Sequence, residues 1–413
     1  MLPDFESYLQ KYAELIVKVG LNLQPDQRLL IIASLPAAPL ARQVAICAYQ
    51  TGARLVDAIY EDEQLLLTRF RSAPPDSLGD VIAWPWDVAT QYAQRGDATL
   101  RIVATDPDLL QGQEPKLVQA YNLARSKAAE AFSLEVSRNN LNWLIVGYPS
   151  ASWAARVFPD LPSDQSEDRL WRAILDVCRI TQADPVSAWQ QHLQQLAQRR
   201  TYLTQKQYAA LHYTALGTDL TIGLPRGHIW MGGSVQTPQG IPFVPNLPTE
   251  EVFTVPHKEQ IHGTVKASKP LSHNGALIEN FSLTFDKGRV VEVQAESGEA
   301  VLRNLVATDE GAASLGEVAL VPFSSPISQL GLLFFNTLYD ENAACHIALG
   351  RALRFCLQDG PNLSDDELSA HGINHSLIHV DFMIGSVEMN IDAITADGRR
   401  EPLMRNGEWA FTL

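Results

Sequence analysis

The stretch that decides the fold runs from residue 28 to residue 60 and reads RLLIIASLPAAPLARQVAICAYQTGARLVDAIY. Residues 28–33 and 55–60 are short, continuous apolar runs, which are typical of strands buried on both faces of a sheet. Residues 38–51 have a helical pattern, and Gly52 follows them at a position where a helix C-cap favours glycine. This order and spacing predict a βαβ unit with parallel strands.

The rest of the N-terminal half continues this alternation. Residues 100–104 and 143–147 are predicted strands, and residues 116–136 are a predicted long helix. The loop after the first strand, residues 34–39, contains no glycine that would let backbone amides approach a phosphate, which argues against nucleotide binding. We therefore predict an α/β domain over residues 1–207, with a doubly wound, mostly parallel sheet.

The pattern of apolar and polar residues changes near residue 208, after a Gln-rich helical stretch at 186–207. Alternating apolar and polar runs punctuated by Gly and Pro now dominate. They lie at 219–224, 281–285, 289–294 and 318–322, with a hairpin-type turn at 286–288. Because 413 residues exceed the usual size of one hydrophobic core, we predict a second domain over residues 208–413. It should be α+β, with mainly antiparallel strands that carry the candidate metal site described below.

Composition excludes several kinds of partner. Asp and Glu outnumber Lys and Arg by 47 to 32, a net charge of -15 that repels nucleic acid and anionic membranes. No apolar run is long enough to span a membrane, and the N-terminus lacks the basic region and the cleavage site of a signal peptide, so we expect a helix there. Four scattered cysteines, at 47, 178, 345 and 356, are typical of reduced, buried thiols. We expect a cytoplasmic protein.

Two histidines have neighbours that suggest chemistry. His379 and Asp381 lie two residues apart in an apolar, β-branched run, so a strand would place both side chains on one face. Imidazole and carboxylate together suit a divalent cation, although such a pair is also common as a structural feature. His346 follows Asp340, a good helix N-cap, which predicts that His346 lies in the second turn of a short helix. There it could equally be a core histidine.

Three glutamates complete the candidate site. Glu250 and Glu251 are adjacent in a segment between Pro248 and Pro256, which predicts a rigid loop rather than a solvated charge run. Glu317 precedes an apolar run, and a buried carboxylate at the entrance to a strand needs a partner or a metal. Each of these signals is weak when taken alone.

In combination these segments resemble the M29 metallo-aminopeptidases, the group of aminopeptidases T and S. The resemblance rests on five motifs in the family's order and at about its spacing. They are PTEEVFT at 248–254, DEGA at 309–312, LGEVALV at 315–321, NTLYDENA at 336–343 followed by His346, and NHSLIHVDFMIG at 374–385. The N-terminal half agrees with the family in length and in its alternation of predicted helices and strands, but its motifs are weaker.

The resemblance implies a dinuclear-metal aminopeptidase, which removes N-terminal amino acids from peptides by attack of metal-bound hydroxide. It implies two divalent ions per chain (Zn, Co, Mg or Mn) and a homodimer. The implied ligands are Glu251, Glu317, His346, His379 and Asp381, and we assign the bridging role to Glu317.

A general base that is not itself a ligand is also needed, and Glu250 is the candidate. The alternative is that Glu250 faces solvent, because neighbours in an extended loop point in opposite directions.

One position departs from the family pattern. The family has a tyrosine near the metals seven residues after the ligand histidine, where this sequence has Leu353. If His346 lay on a helix, position 353 would share its face. Leucine has no hydroxyl to bind substrate or to stabilise an oxyanion. The alternative function is therefore a metal-binding homologue with weak or lost peptidase activity.

Overall fold

The computed structural model describes residues 4–104, 106–273 and 276–413. The chain divides into two compact units. The first contains the residues up to 192 together with 234–248, and the second contains residues 193–233 and 249–413. The domain boundary placed after residue 207 stays a prediction.

Helices and strands alternate through the first half of the chain. The helices are α1 (Phe5–Leu15), α2 (Ala38–Thr51), α3 (Glu63–Ser72), α4 (Trp84–Gln94), α5 (Pro115–Ala128), α6 (Glu130–Ser137), α7 (Ala151–Val157), α8 (Ser163–Val177) and α9 (Pro185–Lys206). The strands are β1 (Arg28–Ser34), β2 (Leu55–Glu61), β3 (Ala98–Val103) and β4 (Trp143–Gly147). The long helix predicted over 116–136 was wrong in one respect, since it is broken into α5 and α6 at Ala129.

The second half is rich in strands. They are β5 (Ala210–Ala215), β6 (Thr218–Gly223), β7 (Val235–Gln236), β8 (Pro242–Phe243), β9 (Asn246–Leu247), β10 (Val252–Thr254), β11 (Ile261–Lys266), β12 (Leu271–His273), β13 (Ala276–Ile278), β14 (Ser282–Asp286), β15 (Arg289–Gln294), β16 (Leu315–Leu320), β17 (His346–Gly350), β18 (His379–Met383), β19 (Asn390–Ile394), β20 (Arg400–Arg405) and β21 (Glu408–Trp409). The helices are α10 (Glu299–Val306), α11 (Pro326–Leu330), α12 (Thr337–Asp340) and α13 (Asp365–Ala370).

The first unit is built on a parallel sheet with strand order β2-β1-β3-β4-β9. β1 and β2 pair in register from Arg28 with Leu55 onward, and α2 makes the crossover between them. Gly52 ends α2 with φ 98°, a left-handed conformation that glycine adopts without a Cβ clash. The predicted α/β architecture is confirmed.

The second unit holds two larger antiparallel sheets and the two-stranded antiparallel pair β12-β13. One has the order β15-β14-β11-β6-β5-β19-β20-β21, and the smaller one has the order β10-β16-β17-β18. The predicted turn at 286–288 joins β14 to β15, with Asp286 paired to Arg289. The expectation of an α+β, mainly antiparallel second part is confirmed, and the smaller sheet carries the candidate site.

The prediction that His346 lies on a helix was wrong, because His346 opens strand β17. Asp340, the predicted helix cap, closes the preceding turn instead: its carboxylate accepts hydrogen bonds from the backbone amides of Phe334 and Asn336. β17 lies between β16 and β18, and all five of its residues are buried. Leu353 lies beyond the end of this strand, so the helical argument that placed it on the face of His346 does not hold.

Candidate metal centre

The four-stranded sheet brings the five predicted metal ligands onto one face. Residues paired across antiparallel strands share a face, and so do residues two apart along a strand. Glu317 pairs with Ala348, which pairs with Asp381, and Gly350 pairs with His379. His346 is two residues from Ala348 in β17. Glu251 immediately precedes β10, whose residue Phe253 pairs with Ala319 on the same face.

The opposite face of this sheet is apolar and buried. Its side chains belong to the main hydrophobic core of the second unit, and they include Val252, Val318, Leu320, Ile347, Leu349 and Phe382. Burying one such side chain contributes about 1.5–3 kcal/mol to stability. The alternation of apolar and polar positions along the strands therefore fixes which residues face the core and which face the candidate centre.

The donor atoms form two groups that share Glu317. Glu251, Glu317 and His346 each offer a donor within 4.8 Å of the others, and so do Glu317, His379 and Asp381. One Glu317 oxygen lies 3.6 Å from His346 Nε2, and the other lies 3.5 Å from His379 Nε2. Each oxygen of a single carboxylate thus faces a different group.

Both histidines are held in the orientation that metal ligands adopt. His346 Nδ1 lies 3.1 Å from the Ala344 carbonyl oxygen, and His379 Nδ1 lies 2.7 Å from that of Arg351. A carbonyl only accepts hydrogen bonds, so each Nδ1 carries the proton and donates it. In the neutral ring Nε2 then has a free lone pair, and it points at the carboxylates. Tying the second nitrogen to a backbone carbonyl is the usual arrangement around a metal-ligating histidine.

The carboxylates lack enough protein donors to satisfy them. Glu251 Oε2 and Asp381 Oδ1 are buried and accept no hydrogen bond among the described residues, although His346 Nε2 lies 3.1 Å from the first oxygen and His379 Nε2 lies 3.5 Å from the second. Buried charged oxygens without partners are costly unless a cation compensates them. Three carboxylates and two imidazoles are a donor set that divalent ions such as zinc accept. The residues present therefore fit the metals that the resemblance implies.

The pKa values of Glu317 and His379 are also shifted, by burial and by the neighbouring carboxylates. Burial, followed by the nearby Asp381 and Glu251 carboxylates, raises the pKa of Glu317 to about 7, against the lowering effect of its contact with His346. Burial lowers the pKa of His379, but Asp381 and Glu317 outweigh it and bring that pKa to about 9. Negative charge is concentrated here, which favours a cation at the same place.

Comparison with known proteins agrees with this geometry. The family model described as "Thermophilic metalloprotease (M29)" matches residues 5–409. The chain belongs to the M29 family. One relative is Aminopeptidase 2 of Geobacillus stearothermophilus. It is 46% identical to this chain over 409 residues, which cover 99% of each chain. Aminopeptidase T of Thermus thermophilus is 44% identical over 405 residues, 98% of this chain and 99% of that one.

A solved M29 structure shares the fold. The structure titled "Wild-type AmpT from Thermus thermophilus" superposes with a TM-score of 0.94 and 42% sequence identity. It covers 98% of this chain and all of the matched one. The resemblance stated from the sequence motifs is therefore confirmed, and the chain is an enzyme of a metallopeptidase family. Among its described residues, every helix is too short or too polar to cross a membrane.

Glu250 lies apart from the two donor groups of this M29 protein. Its side chain is buried rather than facing solvent, and its backbone amide donates to Asn342 Oδ1 at 2.7 Å. Burial lowers the pKa of Arg199, and the Glu250 and Glu408 carboxylates near it partly offset that effect. Glu250 therefore has the guanidinium of Arg199 as a charged neighbour.

Glu341 is a site residue that the sequence reasoning missed. Burial raises the pKa of this carboxyl well above its usual range, and the charges of Glu251 and Asp381 raise it further. Glu341 thus lies among the candidate ligands, one residue after α12. The motif NTLYDENA contains a signal, since it holds two adjacent carboxylates, but helix-cap preference singles out Asp340 and not Glu341.

The loop before β18 is held by Asp309, which lies in the DEGA motif. The Asp309 carboxylate accepts hydrogen bonds from Ser376 Oγ at 2.9 and 3.0 Å, from the Leu377 amide at 2.7 Å and from the Ala312 amide at 2.8 Å. Burial opposes the ionised form, but these hydrogen bonds outweigh it and lower the pKa of Asp309. Asp309 therefore anchors the approach to His379.

We expect Asp309→Ala to destabilise the protein by about 2 kcal/mol at neutral pH, since hydrogen bonds to a charged group are lost. Because the folded pKa is lowered, this stabilisation is present above the ordinary pKa of aspartate and is lost as the pH falls through the folded value. Urea unfolding at about pH 7 and about pH 3 measures both effects. The neighbour Glu310 is 93% exposed, so Glu310→Ala is the control and should be neutral. Equal stability of the Asp309 and Glu310 variants at pH 7 would contradict the anchoring role.

Proposed function

We propose that this chain is a dinuclear-metal aminopeptidase that removes the N-terminal residue from peptides. The observation that carries the proposal is the division of the donors into two groups around one carboxylate, with a Glu317 oxygen facing each histidine. One shared carboxylate is how two ions are held a few ångströms apart in dinuclear hydrolases. The names of the relatives, aminopeptidases 2 and T, supply the reaction class.

In this proposal Glu251 and His346 would hold one ion and His379 and Asp381 the other, while Glu317, which belongs to both donor groups, would serve both. Two such ions would supply Lewis acidity for the scissile carbonyl, a more acidic water and a site for the free α-amine. Zinc, cobalt, magnesium and manganese all accept these ligands, so the donor set leaves the metal open.

The proton must move from the attacking water to the leaving amine, and two carboxyl groups are candidates for carrying it. Glu250 is the candidate from the sequence, and it is buried beside the ligand Glu251. Glu341 interacts electrostatically with the candidate ligands Glu251 and Asp381, and a carboxyl group next to them can also take up and return a proton. The Glu250→Gln and Glu341→Gln variants separate them: the proton carrier is the one whose loss lowers kcat while bound metal is unchanged.

The test is turnover by the purified protein together with its metal content. We expect two divalent ions per chain and release of p-nitroaniline from amino-acid p-nitroanilides with added Zn²⁺ or Co²⁺. A substrate acetylated on its α-amine should not be cleaved, because an aminopeptidase requires the free amine. Two bound ions with no turnover of any unblocked substrate would rule out the aminopeptidase assignment.

A second candidate function is a metal-binding protein with weak or lost turnover. Its support is Leu353, which is half-buried and packs in an apolar cluster with Phe253, a residue on the face of the metal donors. Leucine cannot donate a hydrogen bond to a substrate or an oxyanion. Much faster release of p-nitroaniline by Leu353→Tyr than by the native chain would establish this alternative, whereas equal turnover by the two proteins would exclude it.

The remaining parts of the proposal concern assembly and location. A homodimer and a cytoplasmic location stay predictions for this chain. Size-exclusion chromatography with light scattering measures the mass of the assembly, and the mass of a single chain would contradict the homodimer.

A further inference from the structure

The sheet face that carries the metal donors continues into an apolar cluster. We define this cluster by Met231, Phe253, Leu353 and Phe355. Met231 pairs with Phe253 across the free edge of β10, with backbone hydrogen bonds of 2.8 and 2.9 Å in the two directions. Residues paired in this way share a face. Phe253 in turn shares its face with Glu251, two residues before it, so the cluster flanks the first donor group.

The four side chains pack on a buried apolar base. Phe253 and Phe355 meet edge to face, with ring centroids 6.4 Å apart and an angle of 76° between the rings. Beneath them Val255 and Cys356 are buried, at 1% and 0% exposure. The four residues of the cluster are only half-buried. The cluster therefore presents apolar surface on the side of the sheet where the donors lie, on a rigid support.

The segment that carries Leu353 and Phe355 is tied to the donors by a hydrogen bond. His379 Nδ1 donates to the carbonyl oxygen of Arg351, two residues before Leu353. Arg354, between the two apolar residues, is paired with Asp365. Arg354 thus forms an ion pair with Asp365, while Leu353 and Phe355 pack within the apolar cluster.

We propose that this cluster is the subsite for the side chain of the N-terminal residue and that it selects apolar side chains. The proposal rests on the proposed aminopeptidase function. An N-terminal residue whose α-amine and carbonyl lie at the donor groups carries its side chain within a few ångströms of them, and the cluster is the apolar surface adjoining Glu251. A cationic side chain would lose its hydration against these four apolar side chains, whereas an apolar one gains from burial.

The expected result is a preference of about 10- to 100-fold in kcat/KM for leucine over lysine p-nitroanilide, the range that one apolar pocket supplies. Phe253→Ala should lower kcat/KM for the leucine substrate about 10-fold or more while changing the alanine substrate by less than about 3-fold. Metal content should be unchanged. The matched control is Phe411→Ala, which removes another half-buried ring of the same unit that stacks on Tyr202. It should leave the preference intact.

Other outcomes separate the two proposals. Equal rates for leucine and lysine substrates would overturn the subsite and leave the aminopeptidase function standing. A Phe253→Ala variant that loses activity equally on leucine and alanine substrates, with its metals bound, would also overturn the subsite. Absence of turnover on every substrate would overturn the function. Calorimetric binding of leucinamide and lysinamide to the metal-loaded protein then decides the subsite, which requires tighter leucinamide binding that Phe253→Ala abolishes.

Discussion

Glu317→Gln should lower kcat about 1000-fold or more, the largest effect we expect from a single substitution in this chain. Both oxygens of Glu317 face histidine Nε2 atoms of different donor groups, so the variant removes an anionic ligand from both groups at once. Stabilisation of transition-state charge by such ions is worth several kcal/mol, and each 1.36 kcal/mol corresponds to a tenfold change in rate. Elemental analysis should show fewer than two ions per chain.

The fold should survive this substitution. In the metal-free protein, burial raises the pKa of Glu317 to about 7, which shows that the ionised carboxylate is held there at a cost. Glutamine keeps the shape and removes that cost, so the metal-free variant should melt no lower than the metal-free parent. Added Zn²⁺ should then stabilise the parent more than the variant, since stabilisation by a ligand increases with the ratio of its concentration to Kd. Glu292→Gln, an exposed site, is the control. Full metal content and normal kcat in Glu317→Gln would refute the shared-ligand assignment.

The strands of the first unit could be predicted from local patterns because each is a short apolar run bounded by turn residues. β1 and β2 were both found to within one residue, and Gly52 marked the end of α2. Parallel pairing of β1 with β2 follows from the length of the crossover. The isolated bridges of His228 and Met231 and the short strands β9 and β10 had no comparable signal, since their pairing partners are distant in sequence.

His346 shows where local reasoning failed. The residues DENAACHIAL contain good helix formers, and Asp340 suits an N-cap. The structure makes β17 from His346 onward because strands β16 and β18 flank it on both edges, and tertiary pairing overrides local propensity. The candidate ligands could still be proposed, since they came from the resemblance of whole motifs. Glu341 could not, because its proximity to Glu251 and Asp381 depends on how the sheet is assembled.

Ala348→Leu should abolish metal binding without removing any donor atom. Ala348 lies in the central strand β17, paired with Glu317 on one side and Asp381 on the other. Adjacent strands are about 4.8 Å apart, so carboxylates from β16 and β18 must lean over position 348 to approach one another. A leucine side chain would occupy the space in which they meet. Displacing donors by about 1 Å costs about 100-fold in rate, and we expect at least that loss in kcat/KM.

Two control variants test whether the volume of the side chain at position 348, rather than the loss of alanine itself, determines metal binding. Ala348→Gly leaves the space open and should retain both ions, with a stability cost of about 0.5–1 kcal/mol for glycine in a strand. Ile347→Leu changes the neighbouring side chain on the apolar face and should cost less than about 1.5 kcal/mol, with normal metal content. If Ala348→Leu binds metal as well as the parent does, the ions do not lie over β17. An alanine in an apolar strand gives no sign of function in the sequence, and its importance follows only from the register that places it between two carboxylates.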